Sequence, residues 1–173
     1  TFVATKQGQT YTGGTDIKAG TFRCGASGHY HIYGADGSTV TVRDGATFDC
    51  DGNSNHHLFR FVLDGGTLKN ETDRSKAGNP WFADVTLTKD SFIAGCGFGF
   101  VAPNLAATRL QMNDHLLTVD VNRGGGDRYF FLANLMVEGG GEIYVRSGGY
   151  LALGGNPGGP ASVTARTTKL RMG

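Results

Sequence analysis

Apolar and polar residues alternate along the chain in short bursts rather than long stretches. Five segments share one shape: an alternating run, a polar or glycine turn, then a second alternating run. They are Thr15–Cys24, Val40–Cys50, Phe59–Asn70, Leu110–Val121 and Ile143–Leu153, with a weaker copy at Val85–Ile93. Alternation with a period of two predicts half-buried β-strands. Aligning the copies on the residue before the second run brings together Gly20, Ala46, Gly66, Ser91, His115 and Gly149. The intervals are 26, 20, 25, 24 and 34 residues, and repeats of 20–50 residues built from strands predict a β-solenoid. The long last interval predicts an insertion, placed at Asn122–Asp127.

The alignment also predicts which side chains stack. Phe22, Phe48 and Leu68 fall in register, and so, two residues on, do Cys24, Cys50 and Asn70. Period-two alternation puts both sets on one face, the interior of a coiled parallel stack with successive strands about 4.8 Å apart. That spacing permits a Cys24–Cys50 disulfide, although buried free thiols are the favoured state. Leu105–Asn122 reads as strand–turn–strand and Tyr129–Glu138 as a single strand. The expected fold is all-β: one domain over residues 1–173, a right-handed parallel β-helix of six to seven coils. Asp-Gly pairs at 36–37, 44–45, 51–52 and 64–65 suit solenoid corners and hairpin turns alike, so an antiparallel β-sandwich is the alternative.

Composition narrows the picture. Glycine supplies 29 of 173 residues, while hydrophobic residues reach 39%, too many for a disordered chain. The net charge of +1 gives no footprint for nucleic acid, and no apolar run is long enough to span a membrane. Three cysteines, none in a C-x-x-C pair, make neither a disulfide framework nor a zinc site. The chain opens on Thr1 without a leader pattern, which predicts a processed form or a domain of something longer.

The run Val137–Leu153, together with Gly37–Phe48 and Leu63–Leu68, resembles the strand–turn repeats of autotransporter passengers and related secreted bacterial β-helices. The resemblance covers about residues 37–153. It implies export and an extracellular or cell-surface location, and it implies no activity, because such repeats encode packing.

Candidate chemistry is sparse. Asp44 and Asp64, with Asp90 and Asp114, sit near equivalent turns and could hold calcium; each could equally cap its own turn. His29, His31 and Tyr33 share one face of a short strand and could meet a ligand, but no third metal ligand matches their spacing. The polar excursion at 70–82 carries Asn79 and Trp81, and a loop aromatic can stack on a sugar. Nucleophile and phosphate-loop motifs are absent, and no cofactor is implied. The expected role is therefore a non-catalytic structural or adhesive module, self-associating through its ends into an oligomer or filament. A carbohydrate-active lyase or hydrolase, or a carbohydrate-binding β-helix contacting surface glycans, is the alternative.

Overall fold

The computed structural model describes residues 1–4, 11–24, 37–50, 59–70, 81–95, 98–100, 108–121, 130–132, 135–146, 151–153, 163–165 and 168–173. They form nineteen short strands and no helix. The first seven are β1 (Phe2–Ala4), β2 (Thr15–Ile17), β3 (Thr21–Cys24), β4 (Thr39–Arg43), β5 (Thr47–Asp49), β6 (Arg60–Asp64) and β7 (Thr67–Asn70). Then come β8 (Trp81–Phe82), β9 (Asp84–Lys89), β10 (Ser91–Gly95), β11 (Phe98–Phe100), β12 (Thr108–Gln111) and β13 (Leu116–Val121). The last six are β14 (Phe130–Leu132), β15 (Leu135–Glu138), β16 (Glu142–Val145), β17 (Leu151–Leu153), β18 (Val163–Ala165) and β19 (Lys169–Met172).

The strands sort into three sheets. The first runs β1-β3-β5-β7-β10-β13-β16-β19, the second β18-β15-β12-β9-β6-β4-β2, and the third β17-β14-β11-β8. Every pairing between these strands is parallel, and each joins one coil to the next. From β6 to β17 each coil runs through the second sheet, turns a corner into the first, and returns by the third. This is a parallel β-solenoid, and the antiparallel sandwich is excluded for these strands. The expected six to seven coils overstate the turn count. Among the described residues a turn with a strand in all three sheets occurs only between β6 and β17; before it β2–β3 and β4–β5 show two strands each and β1 stands alone.

The core is a set of stacked columns. In the first sheet Phe2, Phe22, Phe48, Leu68, Ile93, Val119, Val145 and Met172 lie in register. In the second, Val40, Phe61, Val85, Leu110 and Val137 do the same. All members of this second column are buried, as are Phe48, Leu68, Ile93, Val119 and Val145 of the first. Aromatic rings bridge the columns: Phe22 stacks on Phe48 at 5.8 Å, Phe48 meets Phe61 edge-on at 5.1 Å, and Phe61 meets Phe82 edge-on at 4.8 Å. Each such contact adds about 0.5–1.5 kcal/mol beyond the area it buries.

The stacking predicted for Phe22, Phe48 and Leu68 is therefore present. Its companion column is present as well. Ala4 pairs with Cys24, the Cys50 N–H donates to the Lys69 carbonyl at 2.8 Å, and Asn70 pairs with Gly95. Cys24 and Cys50 are buried free thiols. Burial pushes the Cys50 thiol well above its usual range, and the neighbouring Cys24 and Asp49 push the same way. A neutral thiol is a poor nucleophile, so this pair packs rather than reacts.

Three expectations need correction. The expected phase holds through Ser91 and then slips. Ser91 pairs with Leu117, two residues beyond the expected His115, and Leu117 pairs with Ile143, which pairs with Leu170. The in-register residues from Phe22 to Met172 therefore recur at 26, 20, 25, 26, 26 and 27 residues. The 34-residue interval is not the spacing of register partners, since Val119 pairs with Val145, 26 residues on; the insertion expected at 122–127 falls outside the described residues. Both expectations arose from placing Ile143–Leu153 in a single repeat, whereas β16 lies in the first sheet and β17 in the third. Likewise Tyr129–Glu138 is two strands, β14 and β15, in different sheets. An apolar run that turns a corner keeps its period-two pattern on both sides, so the corner leaves no mark in hydrophobicity. Leu105–Asn122 does contain the expected strand, turn and strand, as β12 and β13.

Phe48 touches aromatic neighbours in two sheets, so Phe48→Ala removes both contacts and opens a cavity. The expected loss of unfolding free energy is about 3–5 kcal/mol by chemical denaturation. A loss below about 1 kcal/mol would mean that the column does not carry the core.

Candidate functional site

The outer surface repeats the register of the core. A parallel in-register stack places residues of one column about 4.8 Å apart, so like charges in a column would repel. The sequence instead alternates sign from coil to coil. Arg43 of β4 lies between Asp16 of β2 at 2.9 Å and Asp64 of β6 at 3.1 Å, and Lys89 of β9 reaches Asp64 from the far side at 3.4 Å. Asp84 lies between Arg60 at 3.8 Å and Arg109 at 3.1 Å. Asp120 pairs with Arg146 at 3.1 Å, and Glu142 pairs with Arg171. On the first sheet Arg23 reaches Asp49, whose side chain is fully buried, at 2.9 Å. Exposed pairs of this kind add about 0–1 kcal/mol each. Their larger effect is to specify register, since a shift by one coil would set like charge against like.

Asp64 was a candidate calcium ligand. Its carboxylate instead accepts from the Arg43 guanidinium and from the Thr88 hydroxyl at 3.0 Å, with Lys89 beside it. The hydrogen bond from Arg43, then that from Thr88, holds its pKa below the usual carboxylate value. Asp44, the other candidate, sits exposed in the turn after β4 and packs against Gly65 of the next coil. Among the described residues no three His, Cys, Asp or Glu side chains gather to hold a metal ion. His29, His31, Tyr33 and Asn79 lie outside the described residues, as does 71–80 within the excursion expected at 70–82. Trp81 opens β8, where its backbone pairs with Gly99; its side chain is outside the described set.

A concavity that the sequence did not single out lies at the corner between the second and first sheets. It is an open groove of about 960 Å³, lined by Asp90, Asn113–Leu116, Gly139–Glu142, Lys169 and Arg171. Successive coils build it from their corner turns. Asp90 closes the turn after β9, and its carboxylate accepts the Leu116 N–H of the next coil at 2.9 Å. The His115 Nδ1 lies 3.6 Å from the same carboxylate. Asn113 and Asp114, with φ of 50° and 62°, are the only non-glycine residues with positive φ among those described. Asn113 has a structural reason to be there. Its side-chain amide donates to the Leu87 carbonyl at 2.8 Å, and its side-chain oxygen accepts from Gln111 at 3.0 Å.

The floor is Gly139–Gly141, three consecutive glycines with φ of 83°, 70° and 78°. Side chains disfavour such φ values, and there is no room for them either. A Cβ on Gly140 would run into the Asp114 carboxylate, and one on Gly141 into the His115 carbonyl. The turn is pinned from both sides. The Asp114 N–H donates to the Gly139 carbonyl at 2.6 Å, and the Thr168 hydroxyl donates to the Gly140 carbonyl at 2.8 Å. On the wall Arg171 holds Glu142 and lies over the Tyr144 ring at 3.7 Å. A rigid backbone floor and a mixed-sign rim suit binding of a polar molecule. Among the described lining residues there is no serine or cysteine for nucleophilic chemistry. The signal available in the sequence was the triple glycine one coil above Asn113–Asp114, visible only with the corrected phase.

Comparison with protein-family models, curated proteins and solved structures finds no match to this chain.

The ion column sets an acid dependence. Hydrogen bonding to Arg43, the largest cause, lowers the pKa of Asp16 and Asp64 below the ordinary 3.8. The unfolded chain then binds more protons than the folded one as pH falls through that region. The stabilisation is complete above 3.8 and is lost as pH drops through the lowered folded values. Urea midpoints are expected to hold level from neutrality to about pH 5 and then fall. Arg43→Gln is expected to lower the neutral midpoint slightly and flatten the acid decline. An unchanged acid decline in Arg43→Gln would contradict this role.

Proposed function

We propose that this chain is a non-catalytic, right-handed β-helix module of a bacterial surface or secreted protein, built to stack with further solenoid. The observation that carries this reading is the chemistry of the two outer strands of the first sheet. Leu170 and Met172 of β19 pair with the buried Ile143 and Val145, so their positions are core positions. Yet Leu170 is 48% and Met172 55% exposed, and at the opposite edge Phe2 of β1 is 64% exposed. Each edge thus presents core-type side chains and, among the described residues, one row of backbone donors and acceptors without a neighbouring strand, which is a template for another parallel strand. Because the two edges differ, contact between copies is heterologous and extends without closing. The resemblance of the repeats to autotransporter passengers supports the extracellular setting.

Light scattering over a rising concentration series tests the association. Self-association that is suppressed by Leu170→Lys with Met172→Lys is expected, since lysines on an edge strand oppose pairing. A strict monomer at every concentration would contradict assembly through these edges.

A further inference from the structure

The corner groove carries two charged side chains that the fold does not use. The other acids on its rim are engaged: Asp90 accepts the Leu116 N–H, and Glu142 is held by Arg171. The Asp114 carboxylate and the Lys169 ammonium have no side-chain partner among the described residues, and both line the same concavity. Asp114 also occupies a backbone conformation that glycine would adopt at lower cost, with φ of 62°. Unlike Asn113, its side chain repays that cost with no hydrogen bond to a described residue. Between the two lies a floor of three glycines that leaves backbone, not side chains, facing the groove.

We propose that this groove binds a neutral, hydroxyl-rich oligosaccharide. The lining decides the ligand class by exclusion and by complementarity. An anion would face Asp90 and Asp114. A metal ion lacks a converging set of ligands among the described residues. An apolar molecule would find Leu116 as the one aliphatic side chain in the described lining. Sugar hydroxyls are donors and acceptors at once. They can give to the Asp114 carboxylate and take from Lys169, and charge-assisted hydrogen bonds of this kind are the strong ones. The open shape of the groove along the corner suits a chain that enters and leaves rather than a molecule enclosed on all sides. The proposal deepens the reading of the chain as a surface module, giving it a contact site on its flank while its ends stack.

Titration calorimetry of the full chain with cellohexaose, mannohexaose and xylohexaose at millimolar concentration tests this, with polygalacturonate as the acidic comparison. Asp114→Asn keeps a residue type that tolerates positive φ, and Lys169→Met keeps the aliphatic stem. Both variants should melt like the parent. Binding of at least one neutral hexasaccharide is expected, weakened about tenfold or more by each variant. Binding that survives both variants would overturn the proposal, because the sugar would then sit elsewhere. So would a preference for polygalacturonate, or the absence of any binding by a protein that melts normally. None of these outcomes touches the stacking of the ends, which light scattering reads separately.

Discussion

A single coil of this protein cannot bury its own apolar side chains. Its strands are two to six residues long, and each sends inward only every second residue. Those side chains leave water only because the coil above and the coil below present the same kind of residue at the same position. The column from Phe2 to Met172 is that constraint made visible, since each member from Phe22 to Val145 lies between two neighbours. Where a neighbour is lacking, at Phe2 and Met172, the side chain is exposed. The exposed ends and the buried middle are thus one phenomenon, and the proposed stacking follows from it.

The same register that shields the core puts the outer surface at risk. Identical spacing on the outside would pile like charges on one another, and the alternation Asp16–Arg43–Asp64–Lys89 turns that risk into attraction. Most of the charged side chains on the described strands are thereby committed to holding coils together. The corner groove differs because its glycine turn replaces side chains with backbone, leaving Asp114 and Lys169 without side-chain partners among the described residues. Architecture and candidate binding site are therefore separable in this chain: the ion pairs run along the flat faces, and the groove lies at the corner.

Much of this was legible in the sequence. Alternation announced the strands, and the recurrence of Phe22, Phe48 and Leu68 gave the parallel register before any coordinates. What misled was phase. Hydrophobic alternation marks a strand but not the sheet it joins, so Tyr129–Glu138 read as one strand when it crosses a corner, and Ile143–Leu153 read as one repeat when it spans two sheets. The candidate site was less legible for a related reason. A groove made of turns from four coils is assembled from residues about 26 apart, and an error of two residues in phase separates Asp114 from Gly140. Asp64, by contrast, looked like a metal ligand because a carboxylate at a turn is ambiguous until its neighbour one coil away, Arg43, is placed beside it.

The central claim is that successive coils stack in parallel, in register, along columns of core residues. Methyl-labelled nuclear magnetic resonance reads those columns directly. Each of Leu68, Ile93, Val119 and Val145 is expected to show methyl contacts to the column members one coil above and below, with none of the close Hα–Hα contacts that mark antiparallel neighbours. Strong Hα–Hα contacts between neighbouring strands, or columns displaced by two residues, would contradict the account.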